Sequence, residues 1–224
     1  MSKEKFYITT AIPYANADPH IGFALEILYA DVMARYQRLL GKDVYFLTGT
    51  DEHGQKMLHT AKEAGQAVEK FAAEKSAKFL SLADQWNISN NDFIRTTEER
   101  HINGAQEFWK KSVKNGDIYK KTYTGLYCVG CEAFKTEKDL VDGKCPDHHI
   151  APETVSEENY FFRLSKYQKD LESLFKKHPS FVYPESRFNE MKNILKIGLE
   201  DVSISRTKAK LAWGVPVPDD DNQV

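Results

Sequence analysis

The sequence predicts an α/β protein whose first part opens a doubly wound parallel sheet and is interrupted by a small β-rich insertion. Three observations carry this. Within about fifty residues a β-branched run, a loop, a helix-period stretch and a second compact apolar run follow one another, the order of a βαβ unit. A second helical tract then leads to a short strand at 92–95. From residue 118 the texture changes to Tyr-rich alternation with hairpin-like turns, and all three cysteines lie within 118–148.

Phe6 to Ile12 reads as the first strand, stopped by Pro13, which has no N–H for a ladder. Residues 13–21 have loop composition, with Pro13, Asn16, Asp18, Pro19 and His20. From Gly22 the period becomes helical. Leu25, Leu28, Val32, Tyr36 and Leu39 form the apolar stripe, Glu26, Arg35 and Arg38 lie off it, and Gly41 follows as a left-handed stop. Val44 to Thr48 is the second strand, ended by Gly49-Thr50-Asp51-Glu52-His53-Gly54. Residues 55–86 predict two helices broken near Gly65, and 87–91 a turn. Thr96 with Glu99 matches a capping box for a helix with Ile102, Ala105, Trp109 and Val113 inward, closed by Gly116. Beyond the insertion, Asn159–Leu164 is a strand, Tyr167–Lys177 and 187–200 are helices, and Asp201–Arg206 is a strand.

Composition narrows the function classes. Hydrophobic residues make up 41% and charged residues 29%, enough for a core and against disorder. Lys+Arg number 31 against Asp+Glu 33, so the net charge of -2 gives no basis for non-specific phosphate binding. No apolar run approaches a membrane span. The first residues lack the apolar stretch of a signal peptide, and three cysteines suit no secreted disulfide framework, so a soluble cytoplasmic protein is expected.

Cys128-x2-Cys131, thirteen residues, then Cys145-x2-His148 uses every cysteine. Two such knuckles let one tetrahedral ion be gripped by two short loops, and thiolate plus imidazole suits Zn²⁺. Four protein ligands leave no open position, so one structural zinc per chain is expected, folding an insertion without a core of its own. His149 is a rival to His148, and three reduced cysteines with solvated histidines is the plainer alternative.

In a doubly wound sheet, ligands bind beyond the carboxyl ends of the strands, and helix N-termini favour anions. Residues 13–23 occupy that place after the first strand. His20 would point a donor at whatever the helix end holds, and Gly22 would let a ligand approach the backbone. Asp51 ends the second strand on the same sheet edge and suits a cationic amine. Taken alone, a His before a helix is more often a capping residue, and Asp51 in Thr-Asp-Glu-His-Gly more often a turn or N-cap residue.

Together these segments resemble a family. Ala11-Ile12-Pro13-Tyr14 with His20-Ile21-Gly22-Phe23 is similar to the first signature of class I aminoacyl-tRNA synthetases. Phe46 to Gly54, Asp92 to His101, Gly125 to Cys128, Asn159 to Arg163, Asp201 to Arg206 and Trp213 to Pro216 resemble the family's methionine-specific members. The resemblance implies the first half of a doubly wound nucleotide-binding fold with an inserted zinc subdomain. The divisions expected are 1–117 for that fold, 118–162 for the zinc insertion and 163–224 for a helical return segment, truncated.

It further implies methionine contacts at Ala11, Ile12, Tyr14 and Asp51, and ATP contacts at His20, Gly22 and Phe23, with His20 as the catalytic group. The zinc ligands it implies are Cys128, Cys131, Cys145 and His148. The reaction implied is two-step: methionyl-adenylate from methionine and Mg²⁺-bound ATP, then acyl transfer to tRNA. Phe23 departs from the family's histidine, and loss of such a donor costs ~3–4 kcal/mol of transition-state stabilisation in other enzymes. No segment matches the family's lysine-bearing second signature or its anticodon-reading domain, so the chain reads as an N-terminal piece, inactive alone. Another class I synthetase or nucleotidyltransferase, and a non-catalytic zinc-bearing binding fragment, are the alternatives.

Overall fold

The computed structural model describes residues 3–131 and 133–224. They form two compact units, one of Met1–Gln106 with Tyr127–Glu153 and Trp213–Val215, the other of Glu107–Leu126, Thr154–Ala212 and Pro216–Val224.

In the first unit, β1 (Lys5–Thr9), β2 (Asp43–Thr50) and β3 (Asp92–Arg95) make a parallel sheet in the order β1-β2-β3. β1 stops at Thr9, ahead of the expected Ile12, although Thr10 still donates its N–H to the Leu47 carbonyl. Gly49 on β2 has a structural cause: a Cβ there would stand 2.0 Å from the Ile94 carbonyl oxygen, so only glycine lets β3 pair so closely. The crossovers are α1 (Ile21–Leu39) and the pair α2 (Gln55–Glu63) and α3 (Val68–Gln85), broken around Gly65 as expected. Both run in the same direction across the sheet, so right-handed connections put all three helices on one face. On that side Phe46, Ile27, Met57 and Ala72 are fully buried. Tyr7 and Tyr45 stand exposed on the sheet, their ring centroids 6.0 Å apart.

α1 buries a different face from the one expected. Phe23, Ala24, Ile27, Ala30, Asp31 and Ala34 turn inward, while Leu25, Leu28, Val32, Tyr36 and Leu39 are exposed. The helix is apolar on both sides, so periodicity alone picks the wrong stripe. Arg35 and Arg38 are not idle surface charges either. Asp31, 5% exposed, accepts from Arg35 Nε and from the Ser89 N–H, and Arg38 donates to Ser89 and Asn91, which pins α1 to the turn before β3.

α4 (Glu99–Lys114) begins at Glu99, three residues after the expected cap Thr96. The Thr96 hydroxyl accepts the Glu52 N–H instead, so the capping box does not form. The helix stops at Lys114, two residues before Gly116, whose φ is +71°.

The second unit is built on most of β4 (Ile118–Cys128) and β6 (Glu153–Phe162), with β7 (Val202–Ser203) antiparallel to β6. β7 is shorter than the expected 201–206. Past it, Arg206 and Val224 exchange two backbone hydrogen bonds. α5 (Gln168–Lys177) and α6 (Glu185–Ile197) follow β6. Asp117 anchors the approach to α5 by accepting from Lys166 Nζ at 2.5 Å and from the Tyr167 hydroxyl at 2.8 Å. The far end of β4, with β5 (Ala133–Lys135), belongs to the first unit. No helix among the described residues is long and apolar enough to cross a membrane.

Candidate functional site

The carboxyl ends of β1 and β2 lie on one edge of the parallel sheet, which makes that edge the ligand side of the fold. After Thr10 the chain leaves the ladder for three residues and rejoins it at Tyr14, bridged to Asp51. Asp51 donates its N–H to the Pro13 carbonyl and accepts the Ala15 N–H, both at 2.9 Å. The Tyr14 hydroxyl donates to the His53 carbonyl at 2.5 Å. The residues expected to meet methionine thus share one short stretch of loop paired with the end of β2. Ala11 donates its N–H to Glu26 Oε1 at 2.7 Å, which fixes the first residue of that stretch.

His20 caps α1. Its Nδ1 accepts the Gly22 N–H at 3.0 Å, which places the neutral ring's proton on Nε2. The plainer reading of His20 therefore holds, but it also leaves an exposed Nε2–H donor at a positive helix end. Gly22 matters first for this cap: a Cβ there would lie 2.9 Å from His20 Cε1. Phe23, expected among the ATP contacts, has its ring in the core, 4% exposed and edge-on to Phe79 at 5.0 Å. It shares the inward face with Ile27, Ala30 and Ala34, so only its backbone is left to meet a nucleotide.

Glu52 is the residue the sequence reading passed over. It is fully buried, and every polar atom is engaged. Oε1 accepts from Thr50 Oγ1 (2.8 Å) and Arg95 Nε (2.7 Å), and Oε2 from Arg95 Nη2 (2.9 Å) and Thr97 Oγ1 (2.5 Å). Its N–H donates to Thr96, and its carbonyl accepts the Trp213 indole N–H. Burial pushes its carboxyl pKa up, but Arg95, Thr97 and Thr50 outweigh that and hold it below the ordinary value. Next to it, His53 lies against Trp213 with centroids 5.5 Å apart. Burial, helped by the nearby His101, lowers the His53 pKa and keeps the ring neutral.

The cysteine cluster assembles as expected. One ligand atom from each of Cys128, Cys131, Cys145 and His148 lies within 4.8 Å of the others. Cys131 and Cys145 Sγ are 3.4 Å apart, and His148 Nδ1 stands 3.3, 3.8 and 4.0 Å from Cys131, Cys145 and Cys128. A tetrahedral zinc has ligand-to-ligand edges of roughly 3.3–3.8 Å, so the set fits such an ion. Cys128 and Cys145 are buried. Gly130, between the first two cysteines, has a defined purpose: a Cβ there would fall 2.4 Å from His148 Cδ2. Tyr127 and Phe134 pack edge-on at 5.3 Å beside the knuckle. His149, just past the turn that carries His148, has φ +56° and is not in the cluster.

Comparison with known proteins agrees with this geometry. The sequence pattern of the family described as "tRNA synthetases class I (M)" matches residues 6–152 and 148–224. The chain is 50% identical to a methionine–tRNA ligase of Thermotoga maritima over 98% of its length, and 49% identical to one of Brucella suis over all of it. It spans 35% and 44% of those two proteins. Among solved structures, Mycobacterium tuberculosis methionyl-tRNA synthetase bound by methionyl-adenylate superposes with a TM-score of 0.93 at 41% identity, over 99% of this chain and 44% of that one. The apo form of the same enzyme gives a TM-score of 0.79 at 38% identity, over 99% and 42%.

Proposed function

The chain belongs to the class I (M) tRNA synthetases, and from that premise we propose that it supplies the methionine and ATP sites of a methionine–tRNA ligase. The observation that carries this reading is the pairing of Tyr14 with Asp51, which sets the first-strand loop beside a carboxylate, on the sheet edge where the α1 N-terminus also opens.

The Asp51 carboxylate receives the methionine ammonium, while Ala11, Ile12 and Tyr14 border the thioether side chain. His20 Nε2–H and the Phe23 N–H in the first turn of α1 take the ATP phosphates, whose charge Mg²⁺ shares, while the Gly22 N–H stays on His20 Nδ1. The methionine carboxylate oxygen attacks the α-phosphorus, the bond to the bridging oxygen breaks, and pyrophosphate leaves with that electron pair. In the second step a hydroxyl of the terminal tRNA ribose attacks the acyl carbon, the bond from that carbon to the adenylate oxygen breaks, and AMP leaves, its phosphate taking up the hydroxyl proton. No side-chain nucleophile takes part. The protein contributes orientation and fixed donors where charge builds up. With chemistry of this kind, His20 acts as both cap and phosphate donor.

Cys128, Cys131, Cys145 and His148 would hold one zinc ion and, as four protein ligands, would leave it no position open to substrate. Its contribution would be to fold the 127–153 stretch.

Calorimetric titration tests the amino-acid reading on a polypeptide extended to the length of the relatives. Methionine and its alcohol, which keeps the amine, should both bind, and the desamino analogue should not. Equal binding of the desamino analogue overturns it.

A further inference from the structure

We propose that Glu52 is a positioning residue for the amino-acid site, acting through Asp51. The inference rests on the reading of Asp51 as the ammonium partner and deepens it. Glutamate is almost never fully buried unless paired, and Glu52 is 0% exposed. Its six hydrogen bonds come from three stretches of chain, at Thr50, at Arg95 to Thr97, and at Trp213. The Thr50 hydroxyl, having donated to Glu52, accepts from Ser76 at 2.8 Å, which extends the chain of bonds to α3. Gly54 donates its N–H to the Trp213 carbonyl, so residue 213 clasps the turn at two points. One peptide away, Asp51 is tied through both backbone groups to Pro13 and Ala15. The turn that carries the ammonium partner is thus held on one side by the substrate loop and on the other by a saturated ion pair.

A buried ion pair is a poor way to gain stability, because well-packed apolar residues do as well or better. It is a good way to allow only one arrangement, since a turn that shifts leaves Glu52 or Arg95 buried with bonds unmade. The position it restricts is the direction of the Asp51 carboxylate. Removing the Glu52 charge while keeping its shape should therefore damage methionine binding more than ATP binding, which is assigned to the α1 end.

The test uses a polypeptide extended to the length of the relatives and measures methionine and ATP constants for Glu52→Gln, Asp51→Asn and the double variant. Glu52→Gln should weaken methionine binding about tenfold or more and move the ATP constant by less than about threefold. In the double variant methionine should bind no more weakly than in Asp51→Asn alone, because a residue acting through Asp51 has nothing left to set. Should Glu52→Gln fail to fold, Thr97→Val removes one bond, keeps the ion pair, and should show the same selective loss at about threefold. A lower melting temperature with unchanged methionine and ATP constants, or an equal loss of both, overturns the proposal while leaving Asp51 as the ammonium partner. Normal methionine binding by Asp51→Asn instead sinks the Asp51 reading, and the positioning role with it.

Discussion

Tyr14 and Asp51 form a single parallel bridge beyond the last regular pairing of β1 with β2. The three residues between, 11–13, arch out of the ladder and return. The arch carries Ala11 and Ile12, and the bridge that closes it sets Tyr14 opposite Asp51.

Asp51→Asn keeps the shape of the turn and removes the charge. Breaking a buried charge pair on one side costs ~3–5 kcal/mol, a hundredfold or more in affinity. Calorimetry at the length of the relatives should show methionine weakened by at least that factor. Unchanged affinity returns Asp51 to the role of a turn residue.

His20→Asn separates the two roles of His20. Asparagine caps helices well, so thermal stability should change by less than about 1 kcal/mol. Adenylate formation should fall by roughly 10²–10³, the usual effect of removing one transition-state donor. Loss of stability with little loss of rate would show that His20 is a cap and nothing more.

Gly130→Ala should weaken metal binding, because the new methyl group meets the His148 ring. Metal analysis of the purified protein should find about one zinc per chain in the wild type and clearly less in the variant. Chelation should unfold the 127–153 stretch and spare the β1-α1-β2 core, as seen by hydrogen exchange. A fully folded, metal-free knuckle contradicts the zinc assignment.

His53 and Glu52 set an acid limit. Folding lowers the His53 pKa below its ordinary 6.5, so its contribution is complete above that pH and is lost as pH falls through the folded value. Glu52 acts in the same direction below its ordinary 4.5. Melting temperature should therefore decline from pH 7 towards pH 4, and His53→Asn should flatten the upper part of the decline. A melting temperature that rises on acidification would contradict both assignments.

The parts of this molecule that were legible in its sequence are the local ones. The zinc ligands stand in two tight pairs, and the β3 bounds and the break at Gly65 follow from neighbouring residues. Glu52 was not legible because its partners Arg95 and Trp213 lie 43 and 161 residues away. α1 misled for another reason: with apolar residues on both sides, its inward face is decided by what packs on it, here Phe79 against Phe23. Thr96 misled because a distant N–H, that of Glu52, outcompeted the local cap.

The most direct measurement of the central claim is amino-acid-dependent exchange of pyrophosphate into ATP, by a polypeptide extended to the length of the relatives, with each of the twenty amino acids in turn. The account predicts exchange with methionine, its loss by a hundredfold or more in kcat/KM for Asp51→Asn, and little or none with the others. Exchange that is absent with methionine, that another amino acid supports equally well, or that survives Asp51→Asn unchanged would contradict it.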